Sequence, residues 1–146
     1  IQLEQFDLKP EDIRTKRLDF IPFSKSGYNI QEADIIVAGG RGMGSKENFD
    51  KLYELADAIG GVVGATRPLV EKGWIDLPYQ VGKTVSPKLY LAFGISGAIQ
   101  HVSGISGADT IVAINNDPKA EIFQHANYGI VGDCMEVLND MLAHLK

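Results

Sequence analysis

The residues from Gly94 to His101 combine a glycine turn with two polar side chains, Gln100 and His101, that can contact a planar heterocycle. They follow the apolar run from Leu89 to Phe93, so the sequence predicts a strand, a turn and the start of a helix. Such a turn directs backbone N–H groups at an anion. The helix dipole disfavours a charged imidazole at His101. We expect a neutral His101 that contacts a ligand or, alternatively, one that is a satisfied structural residue.

Other polar and glycine-rich segments follow the remaining predicted strands. From Asp34 onward, short apolar runs alternate with helical segments, which predicts repeated βαβ units around a buried parallel sheet. In such sheets a ligand binds outside the carboxyl ends of the strands. The segments predicted at those ends are Gly39 to Gly44, Thr66-Arg67, Gln80 to Ser86, Gly94 to His101, Asn115 to Asp117 and Gly132-Asp133.

Two arginines stand among these segments. The cluster from Gly39 to Gly44 is not a dinucleotide fingerprint, because Ser45 stands where the last glycine is required. It is either a tight turn or a ligand loop, and Arg41 favours contact with an anion. Arg67 follows the second strand, where an NAD-binding domain carries an acidic ribose ligand. Three interpretations of Arg67 stay open: a surface arginine, a contact to the 2′-phosphate of NADP, or a guanidinium over a flavin that favours its reduced, anionic forms.

The elements that position these segments are predicted from hydrophobic periodicity and from capping residues. Strands are predicted at residues 34–38, 61–65, 89–93, 109–114 and 128–131, and residues 80–85 form a short strand or a loop. Helices are predicted at residues 45–59, 66–73, 97–102 and 135–145. Ser45 and Thr66 are the expected N-caps of the first two helices. Asp133 is either the N-cap of the last helix or a ribose ligand.

Composition narrows the domain organisation and the function classes. Residues 1–33 are predicted to be an extended lead-in from a preceding domain, and residues 34–146 are predicted to be one domain. The net charge of −5 argues against binding to duplex nucleic acid. No apolar run is long enough for a membrane span. Because Cys134 is the single cysteine and lies near a helix start, we expect a small buried thiol or, alternatively, a reactive one. Neither a metal spacing nor a serine hydrolase elbow is present.

From about Ala33 to the C-terminus, the chain resembles the electron transfer flavoprotein alpha subunit family. The matching segments are Asp34 to Gly42, Glu47 to Phe49, Gly64 to Arg67, Tyr90 to His101, Thr110 to Asn115, Asp117 to Phe123 and Tyr128 to Asp133. The resemblance implies a three-layer, Rossmann-like α/β fold of the DHS-like NAD/FAD-binding type. It also implies that this is the FAD-binding domain of a longer alpha subunit, which forms a heterodimer with a beta subunit.

The resemblance further implies an electron carrier without substrate turnover of its own, which moves electrons between flavoprotein dehydrogenases and a downstream acceptor. We expect it to be cytoplasmic, or in the mitochondrial matrix of a eukaryote. Two other functions stay open from the residues alone. One is an NADP-binding domain in a hydride-transferring oxidoreductase, and the other is a module that only docks a partner subunit.

Individual residues also receive roles from the resemblance. Arg67 is expected against the isoalloxazine, Gln100 and His101 near the ring and ribityl region, and Asn115 and Asp133 at the adenosine end. The full set of expected FAD contacts is Arg41, Thr66, Arg67, Gln80, Val81, Gly82, Ser86, Gly94, Ile95, Ser96, Gly97, Ala98, Gln100, His101, Asn115, Asp117, Asp133 and Cys134.

One segment departs from the family pattern. Family members usually carry the run Gln-Val-Gly-Gln-Thr-Gly-Lys, whereas here Gln80-Val81-Gly82 is followed directly by Lys83. If these three residues are deleted, the threonine that the family pattern places at the flavin N5 is lost, and the deletion would change how the protein tunes and retains a flavin.

Overall fold

The computed structural model describes residues 29–82 and 84–145. Within this part of the chain, the strands are β1 (Ile35–Gly39), β2 (Val62–Ala65), β3 (Leu89–Phe93), β4 (Thr110–Asn115) and β5 (Tyr128–Val131). These five strands form one parallel sheet in the order β2-β1-β3-β4-β5. The helices are α1 (Lys46–Ile59), α2 (Arg67–Glu71), α3 (Ile99–Ile105) and α4 (Cys134–His144). The predicted Rossmann-like α/β fold with a parallel sheet is confirmed.

Helices cover both faces of the sheet, because the central strands are apolar on both sides, as buried parallel strands require. On one face, Val37 and Leu91 belong to a buried cluster with residues of α1 and α4, among them Phe49, Leu52 and Leu138. Neighbouring strand residues point to the opposite face. There, Ile36 and Tyr90 pack with Ile105 of α3 and with Ile30. The result is the three-layer arrangement expected from the sequence.

The strand order reverses at β1. Strand β1 lies between β2 and β3, so the chain leaves β1 toward one edge of the sheet and later returns to its other side. Helix α1, which follows β1, packs on one face, and α3, which follows β3, packs on the other. The turns after β1 and β3 therefore diverge, and a crevice opens between them at the carboxyl edge of the sheet.

Capping groups fix where the helices begin. Ser45 is the N-cap of α1, and its hydroxyl accepts a hydrogen bond of 3.2 Å from the Asn48 N–H. The Asn48 amide donates to the Met43 carbonyl instead of returning to Ser45, so the capping box is half formed. Asp133 caps α4 by accepting from the N–H groups of Met135 and Glu136. The predicted N-caps at Ser45, Thr66 and Asp133 are confirmed, although the Thr66 hydroxyl makes no capping bond.

Helix α3 differs most from its predicted bounds. It runs from Ile99 to Ile105 rather than over residues 97–102, so Gly97 and Ala98 stay in the turn that follows β3. This difference leaves more irregular backbone at the carboxyl edge of the sheet than the sequence predicted. Of the two alternatives for the segment 80–85, the described residues favour the loop, which joins the sheet at a bridge between Ala65 and Gln80.

Most of the predicted lead-in, residues 1–28, lies outside the described residues. The described remainder is not extended throughout, because residues 30–32 form a single 3-10 turn capped by Asn29. Ile30 is buried against the second apolar cluster. The domain boundary at residue 34 stays a prediction. No helix in the described part of the chain has the length and apolar character needed to cross a membrane.

Candidate functional site

Two adjoining cavities lie at the carboxyl edge of the sheet. The first, which we call the inner cleft, has a volume of about 440 Å³. It is lined by Arg41, Thr66, Arg67, Pro68, Gln80, Val81, Gly82, Ile95, Ser96, Gly97, Ala98, Gln100 and His101. The second, the outer cleft, has a volume of about 590 Å³ and is lined by Arg41, Gly42, Gly94, Ser96, Ala98, Asn115, Asp117, Lys119, Ala120 and Glu121. Arg41, Ser96 and Ala98 line both, so the two clefts form one elongated site.

Close packing of two glycine turns forms the junction between the clefts. The Gly42 N–H donates to the Gly94 carbonyl at 3.0 Å, which ties the turn after β1 to the turn after β3. A Cβ atom on Gly42 would lie 2.6 Å from the Gly94 Cα. Gly94 itself has a φ of +62°, which favours glycine. The glycines at these positions are therefore needed for the backbone approach.

The turn after β3 presents backbone donors to both clefts. Among the described residues, the N–H groups of Ser96, Gly97 and Ala98 make no hydrogen bond. The Ser96 carbonyl accepts from the Ile122 N–H at 3.0 Å, which holds the turn in place. Gly97 has a φ of +91°, and a Cβ atom there would collide with the Ile122 backbone. These donors can hold an anion such as a phosphate.

Two arginines add positive charge at the inner cleft. Arg41 lies on the short turn between β1 and α1 and reaches both clefts. Arg67 is the first residue of α2, and its Nε donates to Glu71 Oε1 at 2.8 Å. Both side chains of this ion pair are exposed, at 75% and 60%. Although the chain as a whole has a net charge of −5, these two arginines make the inner cleft locally favourable for an anion.

His101 lies at the base of the inner cleft and is buried. Its Nε2 atom is 2.9 Å from the Tyr90 hydroxyl. Burial lowers the pKa of His101 to about 4, and a backbone hydrogen bond at Val81 opposes that shift. The sequence predicted a neutral imidazole because of the helix dipole, but burial is the main physical cause. His101 is therefore neutral at physiological pH and belongs to both the site and the core.

Asn115 braces the outer cleft instead of leaving its amide free for a ligand. Its Nδ2 donates to the Ile95 carbonyl at 2.9 Å, and its Oδ1 accepts from the Asp117 N–H at 2.9 Å. Asp117 in turn accepts from the Lys119 N–H at 2.9 Å. The carboxyl end of β4 is thus fastened to the turn after β3, and this fixes the wall that the two clefts share.

The structure does not bring three of the predicted contacts to either cleft. Ser86 precedes β3 and lies against Gly107, which follows α3, at the opposite end of the sheet. The Asp133 carboxylate caps α4. Cys134 is buried in the core, with its Sγ atom 3.6 Å from the Ile114 carbonyl, and burial raises the pKa of its thiol. The turns after β1 and β3, by contrast, contribute residues to the lining of both clefts.

Sequence reasoning missed several lining residues and one buried partner. Pro68, Lys119, Ala120 and Glu121 line the clefts beyond the predicted set, and the sequence gives no signal for them except that they adjoin predicted positions. Gly42 also lines the outer cleft; it belongs to the predicted turn from Gly39 to Gly44 but was not among the expected FAD contacts. Tyr90 was missed because it lies in an apolar strand. A tyrosine in a strand that is buried on both faces needs a hydrogen-bond partner for its hydroxyl, and that requirement is a usable signal.

The short segment after the bridge at Gln80 packs directly on α3. Gly82 has a φ of +130°, which favours glycine. A Cβ atom on Gly104 would lie 2.7 Å from the Gly82 Cα, so glycine at Gly104 allows this approach. Gly82 therefore closes one side of the inner cleft at the position where the family run is longer.

Similarity to known proteins identifies the family of this chain. The family model described as the electron transfer flavoprotein FAD-binding domain matches residues 29–106. This chain belongs to that family. It is 53% identical over 143 residues to the electron transfer flavoprotein subunit alpha of Thermoanaerobacterium thermosaccharolyticum, which covers 96% of this chain and 43% of the relative.

Further members of the electron transfer flavoprotein family give a similar result. Protein FixB of Clostridium saccharobutylicum is 52% identical, over 100% of this chain and 45% of the relative. The electron transfer flavoprotein subunit alpha of Bacillus subtilis is 48% identical, over 93% of this chain and 43% of the relative. The chain thus spans less than half the length of these relatives. The resemblance stated from the sequence is confirmed.

Proposed function

We propose that the inner and outer clefts together bind one FAD molecule. The observation that carries this proposal is the meeting of four strand-end segments in one elongated site whose junction is made of glycine backbone and Arg41. A dinucleotide needs a long site with a planar ring at one end and a pyrophosphate near its middle. The arginines and the backbone donors of the turn after β3 provide the chemistry that a pyrophosphate requires.

The residues divide along the proposed ligand. The isoalloxazine would occupy the inner cleft, where Arg67 and His101 would contact it. The pyrophosphate belongs at the junction, where Arg41 and the N–H groups of Ser96 and Gly97 are available. We assign the adenosine to the outer cleft, whose lining includes the cationic side chain of Lys119 besides that of Arg41. In this assignment Asn115 shapes the wall, and Ser86 and Cys134 make no contact.

The proposed activity is electron transfer. FAD accepts and releases electrons one or two at a time, and the protein supplies position and electrostatics. Arg67 contributes positive charge, which favours electron-rich forms of a bound ring. His101 contributes a neutral ring that excludes water from the base of the cleft. Neither residue has to transfer a proton to a substrate, which is what a carrier without turnover of its own requires.

The proposed partners follow from the names of the relatives. Several of them are called subunit alpha of an electron transfer flavoprotein, and a subunit implies a partner subunit. We propose a heterodimer with an electron transfer flavoprotein beta subunit, with flavoprotein dehydrogenases as electron donors or acceptors. The relatives' names support this carrier role and do not support the alternative of an NADP-dependent oxidoreductase.

Cofactor identification tests the proposal. The purified 146-residue chain is expected to release FAD on denaturation or, if isolated without it, to bind added FAD with quenching of flavin fluorescence. Binding of NADPH without any flavin binding would support the oxidoreductase instead. Binding of neither nucleotide would support a module that only docks a partner. The same titration with FMN measures how much the adenosine half contributes.

A further inference from the structure

Tyr90 is a polar side chain enclosed in an apolar layer. It lies in β3, is fully buried, and packs with Ile36, Ile105 and other aliphatic residues between the sheet and α3. Its hydroxyl is 2.9 Å from His101 Nε2, and it has no other hydrogen-bond partner among the described residues. A buried hydroxyl that loses its partner is costly. The Tyr90 hydroxyl therefore depends on His101.

The direction of this hydrogen bond follows from counting donors and acceptors. Burial raises the pKa of Tyr90 well above its ordinary value, so the hydroxyl keeps its proton. That proton needs an acceptor, and Nε2 of a neutral imidazole is the acceptor within reach. If Nε2 carried the imidazole proton instead, the hydroxyl could only accept, and its own proton would be unpaired. The geometry favours donation from Tyr90 to Nε2.

We propose that Tyr90 is a positioning residue that confines the imidazole proton of His101 to Nδ1. Since Nε2 is occupied by the hydroxyl, Nδ1 is the ring nitrogen left for other partners, and both His101 and Val81 line the inner cleft. Val81 belongs to the segment that forms one wall of the inner cleft. Tyr90 thus connects β3 to an imidazole that lines the same cleft. Toward a ligand in the cleft, His101 acts only through Nδ1, as a neutral donor.

The tautomer can be read directly in the wild-type chain. Nitrogen NMR of the protein with labelled histidine, near neutral pH, distinguishes a protonated ring nitrogen from a bare one. We expect Nδ1 of His101 to be protonated and Nε2 to be bare and hydrogen-bonded. His144 is an internal reference, because its Nδ1 is 2.7 Å from the Asp140 carbonyl and must donate there. A protonated Nε2 at His101 would overturn the proposal.

The variant Tyr90→Phe tests the role of the hydroxyl. We expect the Nε2 resonance of His101 to move toward that of a nitrogen without a hydrogen bond, while His144 stays unchanged. The matched control is Tyr128→Phe, which removes an exposed hydroxyl from β5. Unchanged His101 resonances in a folded Tyr90→Phe protein would contradict the proposal. If the variant does not fold, the wild-type tautomer still decides the question.

The connection to a cofactor rests on the proposed function, and a separate measurement tests it. If Tyr90→Phe lets both tautomers become equally populated, only half of the molecules have the competent ring, and the dissociation constant for FAD rises about twofold. An unchanged constant would contradict the link between the tautomer and the ligand. Failure of the wild-type protein to bind FAD would refute the proposed function and leave the NMR result intact.

Discussion

The Nε atom of Arg67 lies 2.8 Å from Oε1 of Glu71, one helical turn further along α2. The pair faces solvent at the rim of the inner cleft, with side-chain exposures of 75% and 60%. Exposed ion pairs of this kind contribute only about 0.2–1 kcal/mol. An anionic ligand in the cleft can therefore compete with Glu71 for the guanidinium. The ion pair with Glu71 therefore weakens the attraction between Arg67 and an anionic ligand in the cleft.

Removal of the Glu71 charge is expected to strengthen FAD binding. The variant Glu71→Gln frees Arg67 from its partner, and since the pair contributes at most about 1 kcal/mol, the gain is at most about fivefold in affinity. Fluorescence titration with FAD measures it. The control is Glu54→Gln on α1, an exposed carboxylate that lines neither cleft. Equal affinities for both variants and the wild-type protein would contradict a competition for Arg67.

Replacement of Arg67 is expected to change the redox potential of bound FAD but not the fold. If Arg67 stabilises the one-electron reduced flavin by about 1.4 kcal/mol more than the oxidised form, Arg67→Ala lowers the first one-electron potential by about 60 mV. Its exposed side chain predicts little change in the free energy of unfolding. Arg67→Lys, which keeps the charge but not the planar group, should recover part of the potential. Spectroelectrochemical titration measures this potential, and an unchanged value in Arg67→Ala would exclude a role of Arg67 in stabilising the reduced flavin.

The free energy of unfolding is expected to decrease when the pH is lowered and His101 becomes protonated. The pKa of His101 is about 4 in the folded protein, against about 6.5 in an unfolded chain. Between these values the unfolded state binds more protons, so the contribution is fully present above about pH 6.5 and is lost as the pH falls toward 4. The total effect is about 3 kcal/mol. Urea unfolding at several pH values gives the free energy of unfolding as a function of pH. This free energy should change less steeply with pH in His101→Gln than in the wild-type protein, and an identical pH dependence would refute the contribution of His101.

Loss of the glycine contact between the turns is expected to damage both the fold and the site. In Gly42→Ala the new Cβ would lie 2.6 Å from the Gly94 Cα. Because the Gly94 Cα belongs to the backbone, no side-chain rotation can relieve this clash. We expect a loss of about 1–3 kcal/mol of unfolding free energy, together with weaker FAD binding. Gly132→Ala is the control, because its Cβ would meet only Val137 at 3.9 Å. Similar melting temperatures for the two variants would contradict the close approach.

The β-branched and aliphatic runs at the sheet strands, with the capping residues Ser45 and Asp133, were sufficient to predict the elements and the parallel sheet. These signals are local, because periodicity and capping depend on residues within a few positions of each other. The same logic predicted the edge of the sheet where the clefts lie, since in a parallel sheet every strand ends at the same edge. Which of the predicted residues line the clefts depends on the direction of single side chains, as at Cys134, and the FAD contacts themselves stay predictions.

The order of the strands and the partners of individual side chains depended on the tertiary structure. No residue pattern near Tyr90 predicts that its hydroxyl contacts His101, because that contact depends on how α3 packs across β3. The bracing role of Asn115 likewise depends on the turn after β3 being within reach. The sequence by itself determined the elements, the sheet edge and the family, through local patterns. The tertiary structure alone decided which groups are buried and paired, because burial and hydrogen bonding join residues that are distant along the chain.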